Sequence, residues 1–279
     1  MFNDAVDLRD FYDSPLGHLA RRMIRRQVRG LWSDLRGQSL LGLGFATPYL
    51  RPFRGEAERV LSFMPAQQGV LHWPPEGPNL SALVDEGELP LEDASVDRII
   101  VVHALEGTEQ RAAMMSELWR VLAANGRILF VVPNRRGLWA RFDHTPFGHG
   151  QPYTVGQLSR MLRDSRFTPT RTVNSVYTPP YVSGLLIRSA PAIERIGDRW
   201  FNTFAGVVMI EAQKQVYAIR RDRKRVLARA RDLIASPRPT PAPAPRSLYL
   251  ETACPTTFTD RLPKTNQTPG GDPACTLSP

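Results

Sequence analysis

The sequence predicts an α/β fold: a mostly parallel, seven-stranded sheet between helices on both faces. Three observations carry this. Short apolar runs alternate with segments of helical spacing along most of the chain. The first run enters a glycine turn that opens directly into a helix start. The fourth run, Val96–Val102, is apolar enough to be buried on both faces, as central parallel strands are.

Taken in order, Ser14 and Pro15 form a helix start, a serine cap with proline in the first turn. Behind them Leu16, Leu19, Ala20, Met23, Ile24, Val28 and Leu31 recur at helical spacing, with Arg21, Arg22, Arg25, Arg26 and Arg29 on the other faces. Residues 39–41 read as the first strand, entering Gly42-Leu43-Gly44-Phe45-Ala46, and Thr47-Pro48 repeats the cap-plus-proline start. Residues 59–64 and 80–84 read as the second and third strands. A helix is expected over 107–123 from Ala112, Met115, Leu118, Trp119 and Leu122, with Asn125-Gly126 as its left-handed C-cap. Residues 127–132 make the fifth strand. Thr154 caps a helix to Asp164 with Val155, Leu158, Met161 and Leu162 inward. Residues 171–177 are a sixth strand, 191–200 a helix in an insertion, and 206–212 the last strand. The aromatics Tyr177, Tyr181, Trp200 and Phe204 of the insertion read as core in preference to a cover over the pocket.

Composition bounds the rest. The 279 residues are 42% hydrophobic and 23% charged, which fits a globular chain. No apolar stretch approaches the ~18 residues of a membrane span. The early acids Asp4 and Asp7 argue against a secretory signal, and both cysteines, Cys254 and Cys275, fall near the C-terminus, so a cytoplasmic setting is expected. Ten of the 25 prolines lie in residues 235–279, a stretch expected to be a disordered tail. The net charge of +9 is concentrated in two segments, 15–36 and 214–231, and the remainder is net acidic. Residues 213–234 are expected to form a basic C-terminal helix. Both basic segments read as amphipathic helices with solvated faces or as peripheral contacts with an anionic surface. The organisation is one domain over 1–234: a helical segment (1–38), a ligand-binding core (39–133), a substrate-side region (134–212) and the basic helix.

The glycine turn alone does not name a ligand. A dinucleotide fingerprint needs a third glycine where Thr47 stands and an acid near Met64-Pro65. More specific are Leu89-Pro90-Leu91-Glu92-Asp93-Ala94-Ser95-Val96-Asp97 and Glu117-Leu118-Trp119-Arg120-Val121-Leu122-Ala123-Ala124-Asn125-Gly126-Arg127. Both segments resemble the corresponding motifs of class I S-adenosylmethionine-dependent methyltransferases, in the type 11 group that includes ubiquinone and menaquinone C-methyltransferase relatives. The resemblance implies a Rossmann-like fold whose last strand is antiparallel, and S-adenosylmethionine as cofactor. It sets Gly42, Gly44 and Ala46 at the methionine and ribose side, Asp85 with Glu86 at the adenine, and His103 facing the sulfonium and the acceptor. Two acids of the motif are replaced, by Leu40 and Met64, with Gln67 and Gln68 as candidate substitutes. A scaffold of this fold without catalysis therefore stays open beside the enzyme.

The long loop after the fifth strand, residues 133–154, lies on the ligand side of such a sheet and is expected to be a lid. His103, His144 and His149 are the candidate general bases, each with a purely structural alternative. No metal site is expected, since Asp143, His144 and His149 have no further ligand nearby. The expected acceptor is a small or lipid-like molecule. Nucleic acid is disfavoured: the chain lacks the Asn/Asp-Pro-Pro-Tyr/Phe tetrapeptide, and no cysteine precedes the tail.

Overall fold

Seven strands, β1 (Ser39–Gly44), β2 (Arg59–Pro65), β3 (Ser81–Val84), β4 (Val96–Val102), β5 (Leu122–Pro133), β6 (Phe167–Ser175) and β7 (Val207–Lys214), pair into one sheet. Their order is β3-β2-β1-β4-β5-β7-β6. The first five run parallel; β7 inserts antiparallel between β5 and β6. The computed structural model describes residues 4–181, 184–200 and 202–215. The expected helix over 213–234, beyond its first three residues, and the tail over 235–279 lie outside the described residues. No described helix is long and apolar enough to cross a membrane.

The period-two alternation of the strands builds two apolar layers. Leu40, Ile100, Val102, Leu129, Val131 and Met209 point into one. Leu41, Leu43, Ile99, Val101, Ile128, Phe130 and Ile210 point into the other. The first layer is covered by α1 (Ala5–Asp13), α2 (Pro15–Leu31) and the short α3 (Thr47–Leu50); the second by α4 (Arg111–Val121) and α5 (Val155–Asp164). The expected inward set of α2 is buried except for Leu31, which packs at the margin. Thr154 caps α5 in a reciprocal box with Gln157, satisfying two end groups at once.

Several expectations need correction. The helix α1 was not legible as a periodic run, being nine residues with acids at both ends. It is capped by Asp4 and buries Leu8, Phe11 and Tyr12. Helix α4 spans only Arg111–Val121, and neither Asn125 nor Gly126 adopts a left-handed φ. The chain instead turns extended at Leu122, because Val96 pairs with Leu122 ahead of a bulge, and this draws Asn125-Gly126 into β5. Thr47 is the first residue of α3 rather than its cap, since the chain already turns at Ala46, whose N–H bonds the Gly44 carbonyl. Val155 is exposed rather than inward. β6 begins four residues earlier than expected, and the insertion helix, α6 (Gly184–Trp200), begins seven residues earlier. Gln213 and Lys214 continue β7 by pairing with β6, so no helix starts there. Of the insertion aromatics only Tyr177 is core; Tyr181, Trp200 and Phe204 are 55%, 73% and 54% exposed.

Candidate functional site

The carboxyl ends of β1, β2, β3 and β4 meet on one edge of the sheet, where the strand order reverses between β1 and β4. Ligands of open α/β sheets bind at such an edge. Here the edge holds a cavity of about 70 Å³ lined by Gln68, Glu86, His103, Glu106, Thr108 and His149 among others.

His103 directly follows β4 with φ of +51°, a conformation uncommon outside glycine. Surrounding contacts over-determine it. Tyr12 Oη lies 2.8 Å from His103 Nε2, and Glu106 Oε1 lies 3.0 Å from Nδ1. The Gln68 side-chain amide donates to the His103 carbonyl at 2.8 Å. The imidazole also packs against Phe147, with centroids 5.1 Å apart. Tyr49 in turn donates to the Tyr12 oxygen at 3.0 Å. All six side chains are buried. In the arrangement where every proton has an acceptor, Tyr49 donates to Tyr12, Tyr12 to His103 Nε2, and His103 Nδ1–H to Glu106. Burial, with Tyr49 beside it, pushes the Tyr12 phenol well above its ordinary pKa. The chain of hydrogen bonds thus runs from Tyr49 through Tyr12 and His103 to the Glu106 carboxyl group.

Two buried acceptors on the cavity wall lack a hydrogen-bond partner: Gln68 Oε1 and Glu106 Oε2. Glu86 joins them, 4% exposed and accepting from Thr108 Oγ1 at 3.0 Å. Three converging acceptors suit a ligand rich in N–H and O–H donors, such as the amino and hydroxyl groups of a nucleoside.

The sequence-predicted residues divide. His103, His149 and Glu86 line the cavity. Asp85 does not: it is exposed, and its carboxylate accepts from the Gly87 N–H at 2.8 Å. His144 is turned away, with Nε2 3.1 Å from the Pro180 carbonyl. His149 Nε2 lies 2.7 Å from the Asp143 carbonyl. The space left by the two turn glycines is taken up by the protein itself. A Cβ on Gly42 would sit 2.7 Å from Ala46 Cβ and Leu50 Cδ1, and one on Gly44 would sit 2.2 Å from the Val102 carbonyl oxygen. Gly44 needs its left-handed φ of +80° as well. Ala46 is fully buried behind them. Leu40 and Met64, which replace the two acids, are core residues at 1% and 0% exposure. Gln68 rather than Gln67 is the buried glutamine. Sequence reading missed Tyr12 and the role of Glu106. The first comes from a helix 91 residues away; the second was signalled only by its i+3 spacing from His103. Among the described residues no cluster of His, Cys, Asp and Glu is suited to a metal.

Residues 44–130 match the sequence family described as "Methyltransferase domain". No curated protein matches the chain. Among solved structures, one similar fold is in the complex between the Haloferax volcanii Trm112 methyltransferase activator and a methyltransferase. It is 15% identical with a TM-score of 0.54, over 77% of this chain and 95% of that one. Another is an S-adenosylmethionine-dependent methyltransferase from Thermotoga maritima, 14% identical with a TM-score of 0.52, over 74% and 93% of the two chains. At these identities the likeness is one of fold.

Proposed function

The chain has the class I S-adenosylmethionine-dependent methyltransferase fold, with its methyltransferase domain at residues 44–130, and from this premise we propose that it transfers a methyl group to a small or lipid-like acceptor. The observation that carries the proposal is the buried Tyr12–His103–Glu106 relay beside a wall of unpartnered acceptors. Glu86, Gln68 Oε1 and the free oxygen of Glu106 are the groups that would hold the nucleoside portion. Bound there, S-adenosylmethionine supplies a methyl group already activated on a sulfonium. His103 is the base, reached through Tyr12: as the acceptor's proton passes to Tyr12 Oη, the Tyr12 proton passes to Nε2, and the imidazolium is held by Glu106, whose carboxylate lies 3.0 Å from Nδ1. Tyr12, positioned by Tyr49, keeps Nε2 in place. His149 stands at the cavity margin as a second candidate, and His144 is assigned no part in the chemistry.

Calorimetric titration of the full chain with S-adenosylhomocysteine tests this. Saturable binding in the micromolar range is expected, weakened about tenfold by Glu86→Gln. Absence of heat at millimolar ligand rejects the enzyme.

A specific observation favours a second reading, a non-catalytic scaffold. The cavity, at about 70 Å³, is well below the ~300 Å³ minimum usual for small-molecule sites. Tyr12 lies flat on Phe45 of the glycine turn, with centroids 5.5 Å apart and planes at 10°. On the enzyme reading α1 shifts to admit the cofactor; on the scaffold reading it does not. The same titration separates them.

A further inference from the structure

A second concavity, of about 490 Å³, is lined by Tyr12, whose hydroxyl meets His103. It falls within the ~300–1,000 Å³ range of small-molecule sites. Arg9 of α1, Arg21 and Arg25 of α2, and Arg51 and Arg54 after α3 converge on it. Only Asp13 and Glu76 among its lining residues carry negative charge. Arg9 is held by Asp10 at 2.7 Å, but Arg21, Arg25, Arg51 and Arg54 have no carboxylate within 4 Å among the described residues. Phe45, Leu71 and Trp73 supply apolar surface, with the Arg54 guanidinium 5.6 Å from the Trp73 ring centre.

Arg21 is half-buried and Arg25, Arg51 and Arg54 are exposed, so four guanidiniums without a carboxylate partner give this one hollow a positive field. An anion entering the hollow is drawn by that field and gains charge-assisted bonds. A phosphate monoester, with about −1.5 to −2 charges, matches four guanidiniums better than a single carboxylate does. The aromatic and aliphatic walls match an apolar body attached to it.

We propose that this cleft binds a small molecule carrying a phosphate group on an apolar or aromatic body, and that this molecule is the acceptor of the methyl group. The second half rests on the methyl-transfer reading above; the first does not. Tyr12 joins the two, lining the cleft while its hydroxyl meets His103.

Two double variants on one helix test it, each removing the same charge. Arg21→Gln/Arg25→Gln strips the cleft; Arg22→Gln/Arg26→Gln strips neighbouring positions of α2 that do not line it. The full chain is titrated calorimetrically with phenyl phosphate, with benzyl alcohol as the neutral analogue, and melting temperatures check that both variants fold. The expected result is saturable binding of phenyl phosphate, none of benzyl alcohol, a loss of about tenfold or more in the first variant and less than about twofold in the second. Equal losses in both variants, or no saturable binding at millimolar phenyl phosphate, overturn the proposal. So does tighter binding of an oligouridine RNA that falls equally in both, which would assign the arginines to an extended polyanion. S-adenosylhomocysteine is titrated separately: phosphate binding without it leaves the cleft standing and removes the acceptor role.

Discussion

Replacing Tyr12 by phenylalanine removes one oxygen and keeps the ring. The stacking on Phe45 survives, so the cost comes from two hydrogen bonds. The lost hydroxyl leaves His103 Nε2 without its donor and the Tyr49 O–H without its acceptor, both on buried side chains. Each unsatisfied buried group costs about 1–3 kcal/mol, so roughly 3 kcal/mol is expected after some relaxation. For a domain of this size that corresponds to a melting temperature lowered by about 6–12 °C. Tyr49→Phe is the control. It leaves the Tyr12–His103 bond intact and costs about 1 kcal/mol, because Tyr12 loses only an optional donor to its oxygen. Thermal unfolding followed by circular dichroism at neutral pH reads both. If Tyr12→Phe melts within about 2 °C of Tyr49→Phe, the directional relay is wrong.

Three further outcomes follow from the same geometry. Met64→Asp, which would restore an acid at the end of β2, places a carboxylate in the core at a fully buried position and should cost about 3–5 kcal/mol; a melting temperature equal to wild type would show that the position opens to the crevice. Gly44→Ala combines a left-handed backbone with a Cβ 2.2 Å from the Val102 carbonyl and should cost about 2–5 kcal/mol, while Gly107→Ala, with nothing within 4 Å of its Cβ, should stay within about 0.5 kcal/mol in denaturant titrations. The Arg120 guanidinium and the Leu89 N–H hold the Glu117 carboxyl below its usual pKa. In acid the unfolded chain therefore binds the extra proton first: this group's contribution is complete above its unfolded pKa and is lost as pH falls through the lower folded one. Melting temperature should drop between about pH 5 and pH 3, and less steeply in Glu117→Gln; parallel curves would count against the assignment.

The legible parts of the fold were those governed by local chemistry. Val96–Val102 is a strand because an almost unbroken apolar run can be satisfied only between two layers. The helix over Val155–Asp164 was readable from its threonine cap and its i, i+3, i+4 spacing. The errors arose where a distant partner overrode a local signal. Asn125-Gly126 is a plausible cap in isolation, yet pairing of β5 with β4 begins at Leu122 and leaves no helix to cap. Gln213 and Lys214 belong to a helical pattern by composition, yet β6 offers open backbone donors and acceptors to extend against.

The candidate site divides in the same way. By itself the sequence determined the alternation of strands and helices, the glycine turn, and the placing of His103 at the end of β4, because these depend on residues within a few positions of each other. Only the tertiary structure decided what His103 touches. Docking of α1 on the first apolar layer brings Tyr12 to Nε2, the β2 end brings Gln68 to the backbone, and the β3 end brings Glu86 to the same cavity. Asp85 and Glu86 are adjacent in sequence and chemically alike; one folds back on its own turn and the other faces the cavity. Glu86 is held there by Thr108, 22 residues further on, whose hydroxyl donates to it. Hydrogen bonds across such separations depend on how layers dock, and docking is set by packing of whole apolar faces, which no local pattern encodes.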